Sequence, residues 1–458
     1  MPWLRPFFTS PTSTAQSPSA SPSQPAGDSS LASAQHLAPV DNGRPAARLR
    51  DVLFHPASQK VINQRNVLVD AVGVGITAGV GSFLSVFLVR LGASNFMIGL
   101  LTAMPALTGM LLAMPIGEFL ARRPHIVPWF ARSRFLVLSC YVLTGLVPFF
   151  VAQQNQPEVI ILIWALATLP QTVVSVAFTV VMGQVAGPGG RLTLMSRRWS
   201  ILGLTNALTV AIVGQILPMF QFPINYQIVF IGSAIGALIS VVFSSSIRLP
   251  PVATPTAGQS LVGALRHHGH TLRANRQFLN FTVSQLVLRT GMALAIPLFP
   301  IYWVRVLNAS DRSISAINSI QTIVAMLGYF AWTRVSQRRG ERFVLLATTF
   351  GISFYPLLTA LTNRVEVLVI WAALAGFFSA GIDLVFFDIV LSTCPAEQQP
   401  AYVGMYQTTV FMAAFLAPLV GTALSNVVGL TPVLVLSTAV RLAGFGCMAL
   451  LGVAKIRR

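Results

Sequence analysis

From residue 67 onward, apolar residues run in long stretches broken by short polar connections rich in arginine. Twelve such stretches can be drawn, at 67–89, 96–120, 133–152, 158–184, 199–220, 227–247, 277–303, 313–333, 343–362, 367–391, 402–424 and 432–454. Each is about 20–27 residues, the length a helix needs to cross the hydrocarbon layer. Lipid offers no partner to a backbone N–H or C=O, so an isolated stretch of this kind must be helical. The pattern predicts an all-α integral membrane protein with twelve transmembrane helices in two six-helix bundles. Residues 1–65 form a tail, 66–247 the first bundle, 248–276 a linker and 277–458 the second bundle. The tail contains SPTSTAQSPSASPSQPAGDSSLASAQ, a composition that predicts disorder. It lacks the apolar core of a secretory signal.

Composition agrees. Only 9% of the 458 residues are charged and 54% are hydrophobic, with a mean hydropathy of +0.72. A soluble domain carries about 25% charged residues. The net charge of +18 could suggest nucleic acid, but its distribution points elsewhere. If the tail is cytoplasmic, 24 of the 30 Lys and Arg residues fall on the cytoplasmic side. Only Arg90, Arg305, Arg312 and Arg364 fall opposite. That bias predicts both termini in the cytoplasm, with the plasma (inner) membrane as the expected location. No nucleic-acid partner is then needed. Cys140, Cys394 and Cys447 are odd in number and far apart, which argues against disulfides and zinc. His267, His268 and His270 read as part of a basic surface helix in the linker, not as a metal site. No metal or other cofactor is expected.

The chain repeats itself. LGASNFMI at 91–98 returns as LNASDRSI at 307–314, 216 positions later. The same offset pairs Met110 with Met326, Leu111 with Leu327, and Arg122 and Arg123 with Arg338 and Arg339. The eighth helix is thus the counterpart of the second. Ser94 or Asn95, and Ser310 or Asp311, stand where a side-chain oxygen can cap the first helical turn. The arginine pairs suit the carbonyl ends. A weaker echo, Val213-Gly214 and Val420-Gly421, relates helices 5 and 11.

With twelve helices, two halves, a long central connection, LGASNFMIG before helix 2 and a basic loop recurring after helices 2 and 8, the chain resembles the major facilitator superfamily. The resemblance covers residues ~65–455. In the loop GEFLARRPH, Gly117 and Arg122 match the family signature, while Ala121 stands where its Asp would be and Glu118 is the nearest acid. In TRVSQRRGER, Arg338, Gly340 and Arg342 are kept and Gln337 replaces an acid. The typical Arg of helix 4 and the Gly-Pro motif of antiporter helix 5 are absent. The resemblance implies that Gly117, Glu118, Arg122, Arg338 and Gly340 belong to a cytoplasmic gate, and that helices 1, 4, 7 and 10 line a central cavity.

Ionisable residues at membrane depth cost roughly 2.5–3.5 kcal/mol each and are candidates for function. Asp70 lies in the first turn of helix 1, either at the interface or as a site in the first half. Arg289 is near the middle of helix 7, Asp383 and Asp388 are in helix 10, and Arg441 is in helix 12, where a structural role is expected. Arg289 and Asp383 form either a functional pair, released by protonation or solute, or a static bridge. Glu118 is expected to pair with a nearby arginine. Gln171, Asn206, Asn318, Gln321 and Gln407 are polar candidates, each either a ligand contact or an interhelical hydrogen bond. Pro297 and Pro300 can break the outer end of helix 7 into a gate or simply kink it.

These residues predict a secondary transporter of a small organic solute, working by alternating access and coupled to protons. The chain is not expected to be an enzyme: it lacks a catalytic cluster or an ATP motif. A small-molecule substrate, the lipid bilayer and protons are the expected partners, and a monomer the expected state. The alternatives are a uniporter of the same fold and a non-transporting assembly or scaffold protein. A scaffold would have mutually satisfied polar residues in place of a cavity.

Overall fold

The computed structural model describes residues 58–187, 191–250, 276–393, 399–451 and 453. The tail through residue 57, the basic linker segment at 251–275 with its three histidines, and Cys394 lie outside the described residues. The first half contains α1 (Gln59–Gly81, then Leu84–Arg90 after a break), α2 (Asn95–Ala121) and α3 (Val127–Phe150). It continues with α4 (Gln156–Ala186), α5 (Arg191–Ile216) and α6 (Ile224–Gly232 and Ala234–Ser245). The second half opens with α7 (Arg276–Ala295 and Leu298–Arg305), α8 (Asp311–Arg339) and α9 (Glu341–Ser353 and Tyr355–Ala360). It ends with α10 (Val365–Thr393), α11 (Gln399–Val428) and α12 (Leu430–Leu450). All twelve carry a segment long and apolar enough to cross a membrane.

Several helices start earlier than their apolar stretches suggest. Ser58 caps α1, so the helix takes in Lys60 and Arg65, which the sequence assigned to the tail. α3 starts at Val127, with Pro128 in its first turn, and α5 starts at Arg191. These extra turns change the electrostatics of the first half. Arg134 and Arg198, expected as solvated connection charges, are inside helices and only 5% and 3% exposed. Asp70, expected near the interface, is 1% exposed. Arg134 donates to Asp70 Oδ1 at 2.7 Å, Arg198 donates to Oδ2 at 3.3 Å, and Ser240 Oγ donates to Oδ1 at 2.6 Å. Phe130 and Phe178 lie 4.5 and 4.6 Å beneath the two guanidinium groups. A buried charge without a partner is costly, so early helix starts that turn arginines inward require a carboxylate to meet them. This cluster ties α1 to α3, α5 and α6.

The halves meet unevenly. One core cluster draws on both, with Phe83, Phe87, Ile98 and Tyr226 from the first half and Leu298, Ile301, Ile314 and Ile317 from the second. It lies at the face poor in arginine. At the basic face there are two clusters, one per half. Val67, Leu120, Phe130 and Val181 belong to the first, and Phe278, Trp332, Val344 and Phe386 to the second. α2 packs on α11 and α5 on α8 across the halves. Glycines allow both approaches: a Cβ on Gly99 would strike Thr422, and one on Gly214 would strike Ser315.

The doubled stretch holds the joined end together. Gly92 (φ 89°) and Asn308 (φ 48°) both take the left-handed turn that closes the preceding helix. Ser94 Oγ then accepts from Met97 N, and Ser310 Oγ from Ser313 N, each at 3.2 Å. The serines are therefore the caps, which frees Asn95 and Asp311 for other partners. Arg90, ending α1, pairs with Asp311 at 2.7 Å and donates to the Ala309 carbonyl at 2.9 Å. Arg305, ending α7, donates to Asn95 Oδ1 at 2.6 Å and to the Ala93 carbonyl. Each half thus grips the equivalent residues of the other. Tyr226 Oη adds a 2.6 Å bond to Asp311.

Asp70→Asn should destabilise the protein by about 3–5 kcal/mol, because two buried guanidinium groups lose their counter-charge; denaturant unfolding in detergent checks this. Asp311→Asn should loosen the joined face. In a cysteine-free background carrying Ile317→Cys, labelling by a membrane-impermeant maleimide should speed up about tenfold, since charged hydrogen bonds contribute about 1.5–3 kcal/mol.

Candidate functional site

The second half carries a polar row on α7. Thr282, Gln285 and Arg289 stand at i, i+3 and i+7, on one helical face. Gln285 Nε2 donates to Thr409 Oγ1 of α11 at 2.9 Å. Three further polar atoms of the row, Thr282 Oγ1, Gln285 Oε1 and Arg289 Nε, are buried with no hydrogen-bond partner. Buried polar atoms are seldom left unpaired, so such a row is a place for water or a solute. The guanidinium of Arg289 lies 5.3 Å over the Phe386 ring and has Tyr406 and Asp383 as polar neighbours.

Arg289 and Asp383 do not form an ion pair in this structure. Asp383 is exposed, and its Oδ2 accepts from Tyr329 Oη of α8 at 3.3 Å. Neither the static bridge nor the resting pair of the functional alternative is seen in this conformation. Small residues bring α10 close to α8: a Cβ on Gly376 would strike the Gln321 carbonyl, and Ala380 packs beside Gly328. Asp388 is in α10, and its side chain lies outside the described residues.

The other candidates are scattered. Gln171 on α4 and Gln407 on α11 are exposed, while Asn206 on α5 and Asn318 and Gln321 on α8 are half-buried. None of these five side chains hydrogen-bonds to another described residue, so none serves there as an interhelical tie. Arg441 is buried and donates to the carbonyls of Gly291 and Ile352 at 3.4 and 3.0 Å, binding α12 to α7 and α9. α7 breaks between Ala295 and Leu298, beside Pro297, and α1 breaks at Ser82–Phe83. Glu118, expected to pair with a nearby arginine, is exposed and forms no ion pair with a described residue. An exposed pair gains little against solvent. Arg123 instead covers Phe119 at 4.5 Å. Gly117 is half-buried, while Arg122, Arg338 and Gly340 are exposed at the same face. Among the described residues, no group of three or more His, Cys, Asp or Glu could hold a metal ion.

Thr282, Gln285, Tyr329, Phe386 and Tyr406 are site neighbours that intramembrane charge alone does not single out. The spacing 282, 285, 289 was the available signal for the first two.

Comparison with known proteins bears on this architecture. A profile described as Major Facilitator Superfamily matches residues 281–456. The Staphyloferrin B transporter of Staphylococcus aureus (strain NCTC 8325 / PS 47) is 24% identical over 156 residues, covering 33% of this chain and 37% of that protein. The chain thus spans little more than a third of this curated relative. A mutant of the nucleoside transporter NupG superposes with a TM-score of 0.66 at 14% identity, over 86% of this chain and 99% of the other. A bacterial homologue of the iron transporter ferroportin, in an inward-facing state, gives 0.64 at 13% identity, over 85% and 98%. The fold is shared along nearly the whole length of both solved proteins, and the sequence match falls on the half that holds Arg289 and Asp383. The second half of the chain thus resembles the Major Facilitator Superfamily in sequence, and most of the chain shares the fold of these solved transporters.

Proposed function

We propose that this protein is a secondary active transporter that moves a small organic solute by alternating access, with protons as the coupling ion. The observation that carries the reading is the distribution of the cores: one cluster spans both halves at one face, and two separate clusters lie at the other. Two halves that share a buried core at one face and keep separate cores at the other are built to rock about a site between them. In this reading the basic face is cytoplasmic, as the arginine bias requires, and the molecule is open toward it. The break in α7 beside Pro297 and the break in α1 let the outer segments move as gates.

Arg289, Asp383, Tyr329 and Tyr406 are the proposed working groups. Asp383, exposed and unpaired with Arg289, takes up the proton. Arg289 attracts a polar or anionic group of the solute, and Thr282 and Gln285 supply hydrogen bonds beside it. The unsatisfied atoms on α7 weigh against a non-transporting scaffold, in which such atoms would pair with each other.

The test is proton flux in proteoliposomes loaded with a pH-sensitive dye, with a panel of small organic solutes added outside. The wild-type chain should show solute-dependent proton movement and accumulate that solute against its gradient. Asp383→Asn should abolish gradient-driven accumulation while retaining solute exchange, and Arg289→Gln should raise KM at least tenfold. Full accumulation by Asp383→Asn would remove Asp383 from the mechanism and favour a uniporter.

A further inference from the structure

A cavity of about 450 Å³ opens at the basic face of the first half, between the start of α3 and the ends of α4 and α6. Its polar and charged lining comprises His125, Arg132, Gln184, Ser245 and Arg248, and no Asp or Glu takes part. Arg132 and Arg248 are exposed, and neither pairs with an acidic group among the described residues. The remaining walls are apolar, with Ile126, Val127, Pro128 and Leu249 among them.

The cavity lies at the end of two apolar stripes. On α3, Arg132 is followed by Phe135 and Leu136, 56% and 54% exposed, and two turns later by Leu143. On α6, Leu238 and Val242 are exposed on the turns leading to Ser245. Side chains this apolar and this open on membrane helices face acyl chains. Two lipid-facing stripes therefore run down to a basic hollow at the depth of the headgroups. A cationic hollow of this kind between transmembrane helices selects anionic headgroups.

The hollow is also a built part of the fold. Asn63 of α1 donates from Nδ2 to the Arg248 carbonyl at 2.7 Å, and its Oδ1 accepts from Arg248 N at 3.0 Å. Asn66 donates to the Ser246 carbonyl at 3.2 Å. The backbone carrying Arg248 is thereby fixed to α1, a helix broken near the joined face.

We propose that this cavity binds the phosphate headgroup of an anionic phospholipid, with Arg132 and Arg248 on the phosphate and the acyl chains along Phe135, Leu136, Leu238 and Val242. Occupancy would hold α3 to α6 and, through Asn63, brace α1. The site is separate from the solute path, and the assignment does not depend on what is transported.

Native mass spectrometry of the full chain, in detergent doped with equal phosphatidylglycerol and phosphatidylcholine of the same chain length, provides the test. The wild type should retain one phosphatidylglycerol in preference to phosphatidylcholine. The double variant R132Q/R248Q should weaken that retention roughly twentyfold, as expected for two cations near an anionic headgroup. The charge-conserving R132K/R248K should keep most of it, which separates lost binding from lost folding. R364Q, which removes an exposed cation elsewhere, should retain the lipid fully. Equal retention of both lipids, or unchanged retention in R132Q/R248Q, would overturn the proposal. Glycerol 3-phosphate binding as tightly as phosphatidylglycerol would also overturn it, showing a site for soluble phosphates instead.

Discussion

Lipid tails are as apolar as leucine, so burying leucine between helices gains little in a membrane. Transmembrane helices must be held by close backbone packing and by polar contacts. This constraint decides where the protein is rigid and where it is free. Close packing across the halves occurs at Gly99 and Gly214, toward the joined face. Within the first half, the polar tie is Asp70 with Arg134, Arg198 and Ser240. Within the second, Arg441 reaches two carbonyls across α7 and α9. Each half is thus bound internally by a buried arginine, and the core that the halves share lies toward one end.

The two halves use their buried charge differently. In the first, a carboxylate pairs with two guanidinium groups, and together they enclose the base of α1. In the second, the arginine and the carboxylate stay apart, each resting on aromatic or phenolic neighbours. A paired cluster stiffens what it joins, whereas unpaired charges remain open to other partners. Architecture and chemistry are thereby divided between two copies of one design.

The twelve spans were legible because a membrane helix needs about twenty apolar residues in a row, and this signal is local. The duplication was legible because the left-handed turn at Gly92 or Asn308, the serine cap and the residue after it each restrict side-chain choice. The Asp70 cluster was not legible. Its members come from four helices, and Arg134 and Arg198 sit at the very edges of the apolar stretches, where they pass for surface charges. Asp70 itself sits one turn into an apolar stretch, so its partners depend on helix starts that hydropathy places too late. On α7 the spacing of Thr282 and Gln285 with Arg289 was visible, but neutral side chains carry no membrane cost large enough to draw notice beside a charge. Glu118 has basic neighbours in sequence, yet it is exposed and forms no ion pair with a described residue.

The two arginine grips are equivalent in backbone and unequal in charge, since Arg90 meets a carboxylate where Arg305 meets an amide. Aspartate and asparagine codons differ by one nucleotide. If the halves arose by duplication, a single base change at either position would have been enough to break their original equality. Lineages carrying this fold could then adjust how firmly the joined face is held, without altering Arg289, Asp383 or the polar row on α7.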